Sequence, residues 1–388
     1  MKRVIVYMLA LGGFLAGSAE LILSGILQMV ADDLRISIAL AGQLVTAYSL
    51  AFAIGTPIII ALTSRIGRKE VLIGSLLLFA IGSLIAFFST TFALMVVSRI
   101  VLGVSAGLYS VVALSSIAKL VPPSKIGSAI GMIALGFSLA MALGVPMGVA
   151  IAKWWSWQGI FALLALLSLL VALVLVKLLP PIEGGVRVPF SQQLRVLRHP
   201  VILTGLLVSM FNSMSNSIIL TYLAPYMQSI YNVGTGSIGM IMLVLGIFGV
   251  FGSRIGGNGV DRWGAGRMLI YSLLIAVLTL ALLPLSQASF IGGMVFMVIW
   301  MASVFMSAPA MNTYLIQQSG DSSDLVLSLN TPIIHLGLAL GAGVGGAVVE
   351  ASDTVSYHPL LGSLTVALGV LAAWWSISFG RKKVSRTV

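Results

Sequence analysis

Cysteine is absent from this 388-residue sequence, which excludes disulfides, thiolate metal sites and cysteine nucleophiles. Charge is almost as scarce: Asp, Glu, Lys and Arg make up 8 % of the chain, where a soluble protein carries about 25 %. Lipid rather than water is therefore the solvent for most of the molecule. The three histidines, His199, His335 and His358, lie in separate segments without ligand spacing, so no metal site is expected. No Gly-rich loop ends in Gly-Lys-Ser or Gly-Lys-Thr, so ATP does not drive the chain directly and no cofactor is expected. No Ser or Thr has a His or Asp partner at helical spacing, which argues against an intramembrane hydrolase or acyltransferase. Gly341-x-Gly343-x-x-Gly346 fits a dinucleotide fingerprint but lies in an apolar run and follows no strand, so helix packing explains it better.

What the chain does have is apolar length. Hydrophobic residues make up 59 %, and runs of about 20 place twelve spanning helices. Their expected limits are Val4 to Val30, Ile38 to Leu62, Val71 to Ser89, Phe92 to Ala118, Ile126 to Ala152 and Gly159 to Leu179. The second set runs Val201 to Gln228, Ser237 to Gly259, Met268 to Ser286, Phe290 to Ile316, Leu325 to Val349 and Leu360 to Phe379. The first run lacks a small-residue cleavage site and is expected to be a retained helix rather than a signal peptide. The only long polar segment, 180–200, is expected to link two halves, 1–179 and 201–388, with an amphipathic stretch at Phe190 to Leu197.

The net charge of +11 would suit nucleic acid, but the basic residues sit in short loops between apolar runs and form no binding face. They collect on one side of the spans, where Arg65, Arg68, Lys69, Lys119, Lys177, Arg262, Arg267 and both termini fall; the other side has only Arg35 and Lys153. The basic side, with both termini, is expected to be cytoplasmic in an inner-membrane protein.

The halves repeat. Ser64-Arg65-Ile66-Gly67 returns as Asp261-Arg262-Trp263-Gly264 at an offset of 197 residues, and the same offset carries Ala142 to Gly148 onto Ala339 to Gly345. Two parallel six-helix bundles follow, an arrangement that places a solute site between halves at the bilayer midplane.

Glu20 is the only carboxylate far from either end of an apolar helix. An ionised, unpaired acid at that depth costs about 2.5 to 3.5 kcal/mol, so Glu20 should face a cavity and be protonated part of the time. Gly13, Gly17, Glu20 and Ser24 share one helical face, which puts the acid on a stripe of small residues. The bland alternative is a buried acid bonded to a neighbouring helix. Arg99, well inside the fourth span, needs a carboxylate, carbonyls or water, or else snorkels to the outer headgroups. Both map to uncharged residues in the second half, Ser217 and Phe296. Polar cavity candidates are Gln43, Thr46, Asn212, Ser215, Asn216, Tyr222, Trp300, Asn330 and His335; for each, the competing role is to hold helices together.

These residues resemble the major facilitator superfamily, specifically its twelve-helix drug:proton antiporter type, over nearly the whole chain. Leu62, Arg65, Gly67, Arg68 and Lys69 match the family's loop signature, with Ser64 and Ile60 in place of its Asp and Gly. Gly257, Asp261, Arg262 and Gly264 match its echo, Arg99 and Gly103 its fourth-helix signature, and Gly144, Pro146 and Gly148 an altered fifth-helix signature. Glu20 with Gly25-Ile26-Leu27, Ala31-Asp32-Asp33-Leu34 and Ala41-Gly42-Gln43-Leu44 is similar to bacterial purine-base and nucleoside efflux pumps and to arabinose and sugar efflux members; Gln28 stands where their Pro does.

The resemblance implies an all-α facilitator fold and a monomeric, proton-coupled exporter working by alternating access. Glu20 and Arg99 would couple protons, and the two loops with the fifth-helix run would switch conformation. A row of amides with one indole would suit a planar, neutral, hydrogen-bonding solute such as a purine. Sugar efflux and multidrug efflux, for example of amphenicols, are the alternatives, and a uniporter or channel is disfavoured by Glu20.

Overall fold

The computed structural model describes residues 2–122, 126–183, 197 and 199–384. The amphipathic stretch expected at Phe190 to Leu197 lies, except for Leu197, outside them, as do Lys125, Arg187, Arg195 and Arg198. Among the described residues every regular element is helical, and 12 helices are long and apolar enough to cross a membrane. They are α1 Val4–Leu34, α2 Ile38–Thr63, α3 Arg68–Phe87, α4 Phe92–Ile117, α5 Ser128–Trp154 and α6 Trp157–Leu178. The second set is α7 Pro200–Thr221, α8 Thr235–Trp263, α9 Ala265–Ser286, α10 Phe290–Ser319, α11 Leu325–Ser352 and α12 His358–Phe379.

Several even-numbered helices start on a hydroxyl that satisfies a first-turn amide. Ser37 accepts from Leu40 N at 3.1 Å, Thr91 from Leu94 N at 3.3 Å, Ser156 from Gly159 N at 3.0 Å and Ser289 from Gly292 N at 3.2 Å. A side-chain cap is the economical solution where a turn of a few residues must end one span and begin the next.

Packing groups the chain into two compact units, Met1–Arg187 with Gly234–Leu243, and Val188–Val233 with Val244–Val388. In the first, α1 packs on α5 and α6, and α3 on α4 and α6. In the second, α7 packs on α11 and α12, and α9 on α10 and α12. The pairings correspond helix for helix, so the 197-residue repeat is a repeat of packing as well as of sequence.

Among the described residues, α2, α5 and α7 each depart from straight helix near a proline. In α2 the segment Ala51–Gly55 is π-helical and precedes Thr56-Pro57; in α5 Ala140–Gly144 is π-helical and precedes Val145-Pro146. Both segments read Ala-x-Ala-x-Gly-x-Pro, a likeness between second and fifth helices that adds to the longer repeat. A proline lacks an N–H and crowds the carbonyl four residues back, and a widened turn just ahead of it relieves that contact. The seventh helix, expected to run unbroken from Val201 to Gln228, instead stops at Thr221 and resumes as Leu223–Tyr231. Pro225 leaves the Thr221 carbonyl without its helical donor, and Tyr222 adopts φ −102 and ψ 15 at the break.

The small-residue stripe of α1 is a packing seam. A Cβ on Gly17 would lie 2.9 Å from Ala140 Cβ, and one on Gly25 would lie 2.8 Å from Val145 and Val149, all on α5. From the other side, a Cβ on Gly144 would collide with Ser18 Oγ and one on Gly148 with Ile22. The run Gly144 to Gly148 therefore packs closely on α1. Gly144→Leu should destabilise the protein by about 1 to 3 kcal/mol through overpacking and slow transport. Thermal unfolding in detergent together with a flux assay tests this, and wild-type values in both would contradict so tight a crossing.

Candidate functional site

The first unit builds its site around a buried guanidinium. Arg99 on α4 is 0 % exposed. Its Nη1 donates to the Ala19 carbonyl of α1 at 2.6 Å and its Nε to the Leu44 carbonyl of α2 at 3.2 Å. Its Cζ lies 4.4 Å above the ring of Tyr48, whose hydroxyl points to the Ala16 carbonyl at 3.4 Å. Nη2 is buried with no hydrogen-bond partner among the described residues. The snorkelling alternative for Arg99 is thereby overturned: the side chain runs into the bundle, where carbonyls and a ring replace water.

Gly103 explains how α4 comes close enough. One turn from Arg99, it lies against the Tyr48 carbonyl of α2, and a Cβ there would strike backbone. The Arg-x-x-x-Gly spacing thus has a mechanical meaning: the glycine sets the helix separation and the arginine uses it.

Glu20 follows Ala19 on α1, is half-buried, and lies within coulombic reach of Arg99 and Tyr48. Gln43 and Thr46, half-buried on α2, flank Leu44, whose carbonyl Arg99 engages. Glu20 and Arg99 are thus brought within electrostatic reach of each other and of Tyr48, which sequence reasoning did not single out. An aromatic residue on a helix facing a deep arginine was the available signal.

In the second unit the polar side chains have divided roles. Asn212 on α7 donates to Ser307 Oγ on α10 at 2.9 Å. Ser215 donates to the Gly362 carbonyl of α12 at 2.7 Å, and Tyr222 to the Ala342 carbonyl of α11 at 2.9 Å. Both are almost fully buried, and their hydroxyls brace α7 against its neighbours. Trp300 is 1 % exposed, which removes its ring as an open stacking surface, although its Nε1 has no partner among the described residues. Asn216 Oδ1 is likewise buried and unpartnered, as is Asn330 Oδ1, while Asn330 Nδ2 donates to Asn312 Oδ1 at 3.4 Å. His335 is buried on α11. Ser307 and Asn312 were missed because each sits one turn from Pro309 or Ser303 in a helix whose apolar pattern hides which face turns inward.

The switch residues lie at the basic ends. Arg65 is exposed, Arg68 and Lys69 are half-buried, and the Arg68 amide donates to the Ile182 carbonyl beyond α6 at 2.8 Å. In the repeat, Asp261 and Arg262 are exposed and Gly264 has φ +84, a conformation that favours glycine. Gly67, its counterpart, has φ −56. Gly341, from the dinucleotide-like run, lies against the Met214 carbonyl and Ser217 of α7, a packing contact.

The family model described as Major Facilitator Superfamily matches residues 9–342. The chain belongs to this superfamily. Over 368 residues it is 34 % identical to the MFS-type transporter YbcL of Bacillus subtilis (strain 168), covering 95 % of this chain and 94 % of that one. Over 372 residues it is 29 % identical to the inner membrane transport protein YdhP of Escherichia coli (strain K12), covering 95 % and 94 %. Two solved structures share the fold. One is a bacterial homolog of the human lysosomal transporter Spinster, inward-facing and unoccupied, with TM-score 0.78 at 16 % identity over 98 % and 97 % of the chains. The other is a D-xylose-proton symporter, with TM-score 0.79 at 19 % identity over 96 % of each. This major facilitator is thus a multi-pass membrane transporter.

Gly103→Leu should push α4 off α2, detach Arg99 from Leu44, and cost about 1 to 3 kcal/mol. Gly74→Leu on α3, where a Cβ meets nothing within 4 Å, is the matched control and should be near neutral. Thermal unfolding of the two variants side by side checks the assignment; equal midpoints would remove the reason for a glycine at 103.

Proposed function

We propose that this transporter is a proton-coupled exporter of a small molecule across the inner membrane, working as a monomer by alternating access with both termini cytoplasmic. Residues 1–179 and 201–388 are the moving halves and 180–200 the linker between them. Glu20 carries the proposal: a half-buried acid at mid-span, electrostatically coupled to a guanidinium that is itself fixed by two backbone carbonyls.

Glu20 takes a proton from the exterior as the solute leaves, and releases it when cytoplasmic solute binds. This requires the deprotonated form to bind solute better, and a coupling of about 1 to 3 kcal/mol is ordinary. Gln43, Thr46, Asn212, Asn216, Trp300, Asn330 and His335 form the solute contacts. The unpartnered oxygens of Asn216 and Asn330 and the indole N–H of Trp300 favour a neutral solute with both donors and acceptors at its edge, which supports a purine base or nucleoside. The loops at Arg65, Gly67, Arg68, Lys69 and at Asp261, Arg262, Gly264, with Gly144, Pro146 and Gly148, govern switching.

Glu20→Gln imitates the permanently protonated state. In proteoliposomes loaded with a pH-sensitive dye, it should abolish uphill movement of labelled hypoxanthine or adenosine and weaken their binding. A Glu20→Gln protein that still concentrates solute with normal pH dependence would sink the mechanism. Arg68→Gln should slow turnover several-fold with solute affinity nearly unchanged; lost equilibrium binding with preserved turnover per bound solute would move Arg68 out of the switch.

A further inference from the structure

The basic ends of the two units are built differently. At the offset of 197, Ile66, Glu70 and Gly74 of the first unit correspond to Trp263, Arg267 and Tyr271 of the second. The repeat thus exchanges an acid for a base and brings in two aromatic rings. A requirement for positive charge at this side of the membrane accounts for bases in both units but not for this added combination.

The three substituted side chains are arranged together. α8 ends at Trp263, Gly264 turns the chain with φ +84, and α9 begins at Ala265. This reversal sets the Trp263 ring against that of Tyr271, with centroids 6.4 Å apart and planes at 79°. Both rings face outward, 53 % and 48 % exposed. Arg267 and Tyr271 are four residues apart on α9, so the exposed guanidinium lies on the same face about one turn, ~6 Å, nearer the helix end than the phenol. α12 packs beside them: a Cβ on Gly266 would lie 3.4 Å from Ile377 Cδ1. Asp261 is the one acid in these segments. The apolar spans of α8, α9 and α12 end at Trp263, Ala265 and Phe379, so the cluster sits where hydrocarbon gives way to headgroups.

We propose that the ends of α8, α9 and α12 form a binding site for an anionic diacyl phospholipid, its phosphate held by Arg267 and its upper acyl chain lying on the Trp263–Tyr271 pair. A guanidinium over a shelf of aromatic rings, one turn deeper, matches the lipid's own order of phosphate over glycerol over hydrocarbon. A basic side chain near an anionic surface strengthens binding about five-fold, so Arg267 distinguishes phosphatidylglycerol from phosphatidylcholine by about that factor. The rings contribute without regard to headgroup charge, so they set retention while the arginine sets selectivity.

The test uses the full chain in detergent micelles doped with equal phosphatidylglycerol and phosphatidylcholine of identical acyl chains, read by native mass spectrometry. The wild type should retain phosphatidylglycerol several-fold over phosphatidylcholine. Arg267→Gln should bring that ratio close to one, Arg267→Lys should keep most of it, and Trp263→Leu with Tyr271→Leu should reduce retention of both lipids. Glu70→Gln, at the equivalent position of the first unit, should leave the ratio unchanged. Lipid-free thermal midpoints of the variants separate loss of the site from loss of the fold. Equal retention of the two lipids by the wild type, or an undiminished ratio in a folded Arg267→Gln protein, overturns the proposal. So does full competition by millimolar inorganic phosphate, which would mark a site for free anions.

Discussion

The first unit depends on the burial of one positive charge. Removing a guanidinium from water costs several kcal/mol even after the surroundings relax. Two hydrogen bonds from the charged group return about 3 to 6 kcal/mol, and a desolvated ring about 2. These sums nearly balance, so the state of a nearby acid can tip the balance. Geometry follows from the same constraint. Arg99 reaches the carbonyls of Ala19 and Leu44 together only if α1, α2 and α4 meet at fixed heights, and Gly103 against Tyr48 sets one of those distances.

The second unit repeats the packing without the charge. Its deep polar groups are amides, hydroxyls and an indole, and it uses some of them, Ser215 and Tyr222, to brace α7. A neutral amide oxygen left unsatisfied costs less than a buried charge, so unpartnered oxygens at Asn216 and Asn330 are compatible with a stable bundle. The proposed cycle places the proton step with the buried charges of the first half, while the second half contributes only neutral solute contacts.

Much of the fold was legible in the sequence because lipid imposes a simple rule: about 20 apolar residues, bounded by polar ones, make a span. Glu20 and Arg99 were legible because an ionisable residue inside such a span is costly and therefore rare. Details set by tertiary contact were not legible. The break at Tyr222 depends on a hydroxyl finding Ala342 and on Pro225 freeing a carbonyl, and both residues otherwise read as continuous helix. The direction of Arg99 could not be read, since an arginine near a span end serves equally well by snorkelling. Nor could the brace at Ser215, which donates to the Gly362 carbonyl, be told from Asn216 next to it, whose Oδ1 is buried without a partner among the described residues.

The helix that carries Glu20 also carries the seam to α5, and this links the site to the moving parts. Ala19 supplies the carbonyl to Arg99, while Gly17 and Ser18, two residues and one residue before it, lie against Ala140 and Gly144, the ends of the π-helical turn ahead of Pro146. Ser18 Oγ is buried there without a hydrogen-bond partner among the described residues. A straight helix transmits rotation along its length, and a close-packed seam of glycines has no slack to absorb it. In the proposed cycle, a change of charge at Glu20 alters the pull between α1 and α4, and any turn of α1 in response bears directly on the widened turn of α5. That turn already has a weakened hydrogen-bond ladder, so it is the point in the seam that yields at least cost.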